Sequence, residues 1–405
     1  MPDLEDLLRE ELKRTARKVQ PEVLRPLRVP APGRSWRPRL VPLAAAAAVI
    51  AIVAVVALAV GLPVSPKPAI SGSPSVGLPR FYVTISGGAH GNETEAVIRA
   101  SAGGQVTGTV QVPSIAQDVA FVTAAADDRS FIIGAYEGQN LTSPGGAFDL
   151  RLFQLRISGA GKPGHLTELA PAPERLDDFQ GMALSPDGKL LAVSLARYSG
   201  PYTIGTLQVI NLATGTIRTW TAPVKGPQYA PGAPSWVDGS RMVAFTWLRA
   251  IDPLVYTVAG VRLLDITAPG DSLTDAKLIV PRGTVGAGSI KSALITPDGR
   301  DVIAVTLREL SPLASSHTVI VQIAELQAGT GRLIRVLRTQ TARYDQGGYI
   351  TLQASLGMLS LGSAGQYVLV QGIQFGWLDV GGPDPGRFTL LPALPAGQYV
   401  TGAAW

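Results

Sequence analysis

The side chains able to do chemistry in this chain are few, and their types favour recognition over catalysis. There is no Cys, and there are three His among 405 residues. Without thiols, a Cys nucleophile, a thiolate zinc site, an iron–sulfur cluster and a disulfide framework are excluded. Three scattered His make a His-rich metal site a poor expectation. The polar candidates are Asp118, Asp178, Gln180, Lys291 and Gln353, each near the start of an apolar segment. Two carboxylates, two amides and an ammonium could ring the mouth of a wet channel. The second set is His90, Tyr198, Tyr202, Tyr256 and His317, in the longer intervals between segments, with Tyr136 and Trp247 at the bases of those intervals. Tyr and His join contact area to a polar tip, as binding surfaces require. No G-x-S-x-G elbow, P-loop, H-E-x-x-H or S-x-x-K motif occurs, so the corresponding chemistries have no local signature. No cofactor or metal is expected. Asn92-Glu93-Thr94 and Asn140-Leu141-Thr142 match glycosylation acceptors, which matter only in a host that uses them.

Short strands must position these groups. Apolar residues make up 46% of the chain, which supplies a core. Gly (45) and Pro (32) call for many turns and disfavour long helices. From Arg80 onward a unit recurs around a tight turn: MALSPDGKLLAVSL at 182–195, PSWVDGSRMVAFTW at 234–247, ALITPDGRDVIAVTL at 293–307. Weaker copies lie at 122–136 and 359–373. Pro fixes φ at the second turn position, Asp tolerates the third, and Gly takes the left-handed position after it. The turns near Asp128, Asp187, Asp238, Asp298 and Ala364 are 59, 51, 60 and 66 residues apart. Each is followed by two further strands, and four strands per unit make a propeller blade.

Five units are complete and two are fragments. Residues 81–112 supply three strands without an inner one. The final YVTGAAW supplies an inner strand without followers, and its GAAW is similar to GAPSW at 232–236. Joined, they make a sixth blade closed by both ends of the domain. The expectation is an all-β, six-bladed propeller over 80–405, with seven blades as the alternative. Turns between strands one and two, and three and four, are short. Intervals between strands two and three are long, at 87–95, 137–149, 196–205, 248–260 and 308–317. They predict loops on one face, where the inner strands also begin. That face is the expected ligand or partner surface.

The SPDGK and TPDGR turns, followed by LLAVSL and VIAVTL, resemble the repeats of TolB-like and related WD-repeat-like propellers. The TolB-like resemblance implies a domain that binds other proteins in the cell envelope. Six-bladed propellers resembling lactonases imply instead a metal held by channel carboxylates and amides. Asp118, Asp178 and Gln180 would be the nearest equivalents here.

Before the propeller the chain changes character. Residues 40–62 read LVPLAAAAAVIAIVAVVALAVGL, 23 residues with no charged or polar side chain. As a helix this run spans ~34 Å, enough for a ~30 Å hydrocarbon core. Arg34, Arg37 and Arg39 precede it, which predicts a cytoplasmic N-terminus and an exported propeller. The competing reading is a cleaved signal peptide at Ala57-Leu58-Ala59. Residues 1–39 hold ten Lys or Arg and six Asp or Glu, a net of +4 out of the chain's +5. The rest is nearly neutral, so no nucleic-acid footprint is expected on it. Within the tail, 3–20 predicts an amphipathic helix with Leu4, Leu7, Leu8 and Leu12 on one side. It could dock into a cytoplasmic partner, lie on the inner leaflet, or stay solvated. Residues 63–79, with five prolines, read as a spacer. Tail, span and spacer before such a propeller resemble membrane-anchored actinobacterial proteins, some of which look like sigma-factor regulators.

The expectation for function is a non-enzymatic single-pass membrane protein whose exported propeller binds a protein or envelope ligand. The tail would signal to a cytoplasmic regulator such as a sigma factor. A membrane-tethered, lactonase-like hydrolase and a passive envelope scaffold are the alternatives.

Overall fold

The computed structural model describes residues 77–88, 94–113, 120–137, 149–169, 178–199, 202–252, 255–281, 288–309, 316–345, 356–372, 375–392 and 398–405. The expected tail helix with Leu4, Leu7, Leu8 and Leu12, the apolar run 40–62 and nearly all of the spacer lie outside them. So do His90, Asp118 and Gln353. Among the described residues no helix is long and apolar enough to cross a membrane.

The described residues form twenty-four strands in six four-stranded antiparallel sheets. The first blade takes its inner strand from the far end of the sequence: β24 (Gln398–Ala404), then β1 (Phe81–Gly88), β2 (Thr94–Ala100) and β3 (Val106–Val112). Val83 pairs with Ala404 and Ile85 with Gly402. The second blade runs from β4 (Ala120–Ala124) to β7 (Thr167–Leu169). The third is β8 (Asp178–Leu184), β9 (Leu190–Ser199), β10 (Tyr202–Asn211) and β11 (Ile217–Thr221). The fourth is β12 (Tyr229–Val237), β13 (Met242–Asp252), β14 (Val255–Asp265) and β15 (Lys277–Pro281). The fifth is β16 (Ser289–Ile295), β17 (Asp301–Glu309), β18 (Ser316–Gln327) and β19 (Leu333–Asp345). The sixth runs from β20 (Leu356–Leu361) to β23 (Phe388–Leu390). Successive inner strands contact one another around the ring, with β24 between β20 and β4. The fold is the six-bladed propeller, and both ends of the domain close it.

Alternation along the strands explains why the ring holds together. Successive side chains of a strand point to opposite faces, so a blade between two neighbours needs both faces apolar. Neighbouring residues therefore enter different clusters. Ile133 packs between the first two blades with Ile85, Ile98 and Leu155, while Ile132 packs between the second and third with Leu191 and Val193. Val243 and Ala244 divide the same way, as do Val302 and Ile303. Six clusters fill six seams. Each fully buried Ile, Leu or Phe contributes about 1.5–3 kcal/mol. The apolar runs FIIG, LLAV, MVAF, VIAV and YVLV are thus second strands buried on both sides.

The turns have the conformation their sequences call for. Gly188, Gly299 and Gly365 have φ of 71°, 72° and 72°. In each, the glycine N–H donates back across the turn, to Ser185, Thr296 and Gly362. In SPDG, Ser185 Oγ also donates to Asp187 Oδ1 at 2.6 Å.

The longer intervals differ from expectation. Residues 196–205 and 248–260 are the outer arms of two long hairpins, not loops. Tyr198 pairs with Thr203, and Ala250 with Tyr256. Only residues 200–201 and 253–254 separate the paired strands. The strands stay paired up to Ser199 and Tyr202 in one hairpin and Asp252 and Val255 in the other. In the interval 308–317, Arg308 and Glu309 end β17, and His317 lies in β18 paired with Tyr344.

Candidate functional site

The first residue of the inner strand β8 is Asp178, half-buried at the end of the blade where the hairpins extend. Gln180 follows as the extra residue of a β-bulge, since register shifts between Phe179 and Gly181. A bulge re-aims a side chain without ending the strand. Gly181 permits it: its φ is 144°, and a Cβ there would lie 3.1 Å from Ala233 Cα of the next blade. The same irregularity recurs at Ile290/Ser292 of β16, which makes Lys291 the counterpart of Gln180 in the fifth blade.

Two hairpin arms complete the site. Tyr198 projects from β9 of the third blade and Tyr256 from β14 of the fourth, both half-buried. The arms are tied through Gln228. Its side-chain oxygen accepts from Thr203 N at 2.7 Å, and its backbone oxygen accepts from Ala250 N at 3.0 Å. The third-blade arm also packs closely on the inner strand of the fourth blade at Gly205, where a Cβ would lie 2.4 Å from Ala230 Cα of β12.

Four side chains converge there. Asp178 Oδ2 accepts from Gln180 Nε2 at 2.5 Å, Tyr198 OH at 2.9 Å and Tyr256 OH at 3.4 Å. The two hydroxyls are 3.1 Å apart. Burial pushes the Asp178 carboxyl up from its usual range, and the hydrogen bonds from Tyr198, Gln180 and Tyr256 oppose that rise. Burial also raises both phenols, Tyr256 to about 12 and Tyr198 beyond it, with the Asp178 charge adding to each. Both phenols therefore stay protonated at neutral pH. They are donors, not bases.

Of the ten residues expected on this face, the structure brings together Asp178, Gln180, Tyr198 and Tyr256. Tyr202 is on the same hairpin as Tyr198 but 49% exposed. Lys291 is exposed on its own blade and does not join the cluster. His317 is placed by its backbone in β18. His90, Asp118 and Gln353 lie outside the described residues. Trp247 is a core residue, 4% exposed and stacked on Tyr229 at 4.9 Å. Two contributors carried no sequence signal. Gln228 sits in an unremarkable GPQ segment, and Ile251, 70% exposed, lies beside the tip of the fourth-blade hairpin. The opposite end of the ring has its own cavity, lined by Thr123, Leu184, Ser235, Ile295, Leu361 and Trp405. Thr123 Oγ1 and Ser235 Oγ there accept from Leu184 N and Ile295 N, tying neighbouring blades.

The strand order defines the class: a six-bladed β-propeller with a polar cluster at the mouth between its third and fourth blades. Neighbours among solved structures include TolB from Acinetobacter baumannii, at 16% identity and a TM-score of 0.48. That match covers 80% of this chain and 66% of TolB, just under two thirds of its length. A periplasmic gluconolactonase from Pseudomonas aeruginosa matches at 20% identity and a TM-score of 0.41, covering 76% of this chain and 82% of that one. The tricorn protease matches at 11% and 0.43, covering 80% of this chain and 30% of that one. No protein-family model matches the chain. Nor does any curated protein.

Proposed function

We propose that the chain is a binding propeller, not an enzyme, that takes a protein or other envelope ligand on the face where the hairpins of the third and fourth blades extend. The observation that carries this reading is the convergence of Asp178, Gln180, Tyr198 and Tyr256 at one mouth of the ring, with exposed Tyr202 and Ile251 beside it. Polar groups fixed on rigid strands, rimmed by an aromatic and an aliphatic side chain, are the arrangement of a recognition surface. Phenols held protonated orient a ligand and take no proton from it. In the same proposal, residues 40–62 anchor the propeller to a membrane, 1–39 are cytoplasmic, and the helix 3–20 passes the binding event to a cytoplasmic regulator.

The test is crosslinked capture from membranes with four chains: the full chain, one lacking 3–20, one carrying Tyr202→Asp with Ile251→Asp, and Asp178→Asn. The reading expects the two face variants to lose an extracytoplasmic partner, and the deletion to lose a cytoplasmic one. An unchanged captured set in the face variants would sink the binding face. An unchanged set in the deletion would reduce the tail to a topogenic device.

A further inference from the structure

Asp178 is a half-buried carboxylate held by neutral groups alone, three side chains and the backbone N–H of Phe179. Its side-chain donors are an amide and two phenols, and among the described residues it forms no ion pair. All three donors meet the same atom, Oδ2. Among the described residues Oδ1 receives no side-chain donor. A carboxylate removed from water without a cation is unfavourable, and here burial raises its pKa. Several other described carboxylates have a counter-charge or a full set of backbone donors. Asp265 is paired with Arg241 at 2.6 Å, and Glu325 and Glu168 with Arg335 and Arg151. Asp379, 2% exposed, spends both oxygens on the backbone N–H groups of Gly382 and Asp384.

We infer that the Asp178 carboxylate is the seat of a cationic nitrogen, the ammonium or guanidinium of a partner protein's side chain, received at the channel mouth. The inference rests on the binding face proposed above and names the chemistry that this face reads. A cation there supplies the missing counter-charge in a partly desolvated site, where an ion pair counts for more than on the open surface. The three bonds to Oδ2 hold the carboxylate rigidly, so the ligand does not bear the cost of orienting it. The Tyr198 and Tyr256 rings add faces that favour a cation. An anionic group would meet a carboxylate it cannot share, and a neutral amide would leave the charge uncompensated. Tyr202 and Ile251 beside the mouth suit the peptide around such a side chain.

The experiment uses the full chain in detergent and four probes: Nα-acetyl derivatives of lysinamide, argininamide, glutaminamide and glutamate amide. Saturation-transfer NMR at pH 7.5 reads their binding. Both cationic probes are expected to bind and to compete with each other, at least tenfold more tightly than the neutral and anionic ones. Asp178→Asn is expected to abolish that preference. Gly103→Ala, in a first-blade turn where a Cβ meets nothing within 4 Å, is expected to retain it. The variants' melting curves separate lost binding from lost fold. Equal binding of the neutral probe, or an unchanged cation preference in Asp178→Asn, overturns the inference. The two proposals fail separately. If Asp178→Asn loses its captured partner but no cationic probe binds, the face is right and the ligand chemistry wrong. If the cationic probes bind but capture is unchanged in every face variant, the reverse holds.

Discussion

Tyr198 and Tyr256 stand 58 residues apart in the sequence and in different blades, yet their hydroxyls lie 3.1 Å apart over one carboxylate oxygen. The pair spans the seam between the third and fourth blades, so whatever binds there contacts both at once. Removing either hydroxyl takes a donor from Asp178. Tyr198→Phe is expected to cost about 1–2 kcal/mol of stability in urea unfolding at neutral pH. Tyr256→Phe should cost less, because its bond to Oδ2 at 3.4 Å is the longer one. The double variant should cost less than the sum of the two, since both hydroxyls serve the same carboxylate oxygen.

Asp178 should make stability rise toward acid. Its folded pKa is raised, so the folded state holds the proton more tightly than the unfolded chain. That contribution is fully present below the unfolded value of ~3.9 and is lost as pH rises through the folded pKa. The titratable groups facing it, Tyr198 and Tyr256, stay neutral throughout this window. Unfolding curves from pH 4 to 8 should therefore show a component that Asp178→Asn removes. Identical pH profiles for the two proteins would contradict this assignment.

The close approach of the third-blade arm to β12 gives a sharper steric test. A Cβ at Gly205 meets Ala230 Cα at 2.4 Å and Tyr229 O at 2.5 Å, and neither backbone atom can swing away. Gly205→Ala should destabilise by about 1–3 kcal/mol, with any cationic-probe binding reduced as the third-blade arm is pushed off β12. Gly103→Ala, where a Cβ meets nothing within 4 Å, should be neutral or slightly stabilising. Thermal melts of the two variants check the contrast.

In the seam between the first two blades, Phe131 is fully buried among Ile85, Ile98 and Leu155. Phe131→Ala should cost about 3–5 kcal/mol. Deleting 398–405 should do more. It strips β1 of its inner partner and removes Val400, Ala403 and Trp405 from the seam beside the sixth blade. Hydrogen exchange should then show unprotected amides along β1, while the seam between the third and fourth blades keeps its protection.

The blade count and the ring closure were legible because they rest on local chemistry. The turns near residues 128, 187, 238, 298 and 364 recur 51 to 66 residues apart; Gly188, Gly299 and Gly365 take the left-handed place in three of them, and Asp128 and Asp238 do so in the other two, at φ of 56° and 53°. Both fragments at the domain's ends asked for the strands the other supplied. The site was legible only as a set of candidates. Asp178 and Gln180 announce themselves two residues apart, but the arrival of Tyr198 and Tyr256 depends on how far two hairpins extend. The segments ARYSGPYTIG and LRAIDPLVYTVAG contain Gly, Pro and Asp that look like loops. Yet Gly205 and Gly260 are paired within the ladders, whose extent is set by pairing with a partner strand, which no local pattern reveals. Gln228 matters only because two blades happen to meet around it.

The junction of β24 with β1 also dictates an order of events. Val83 waits for Ala404, 321 residues further along the chain. At a synthesis rate of ~5–20 residues per second, β1 exists for about 15–60 s before its inner neighbour has been made. During that interval five blades can assemble from local hairpins, while the first presents an open edge whose N–H and C=O groups could pair with any strand nearby. Closure joins the two most distant strands of the sequence, and until it forms the inner edge of β1 is where another strand can add.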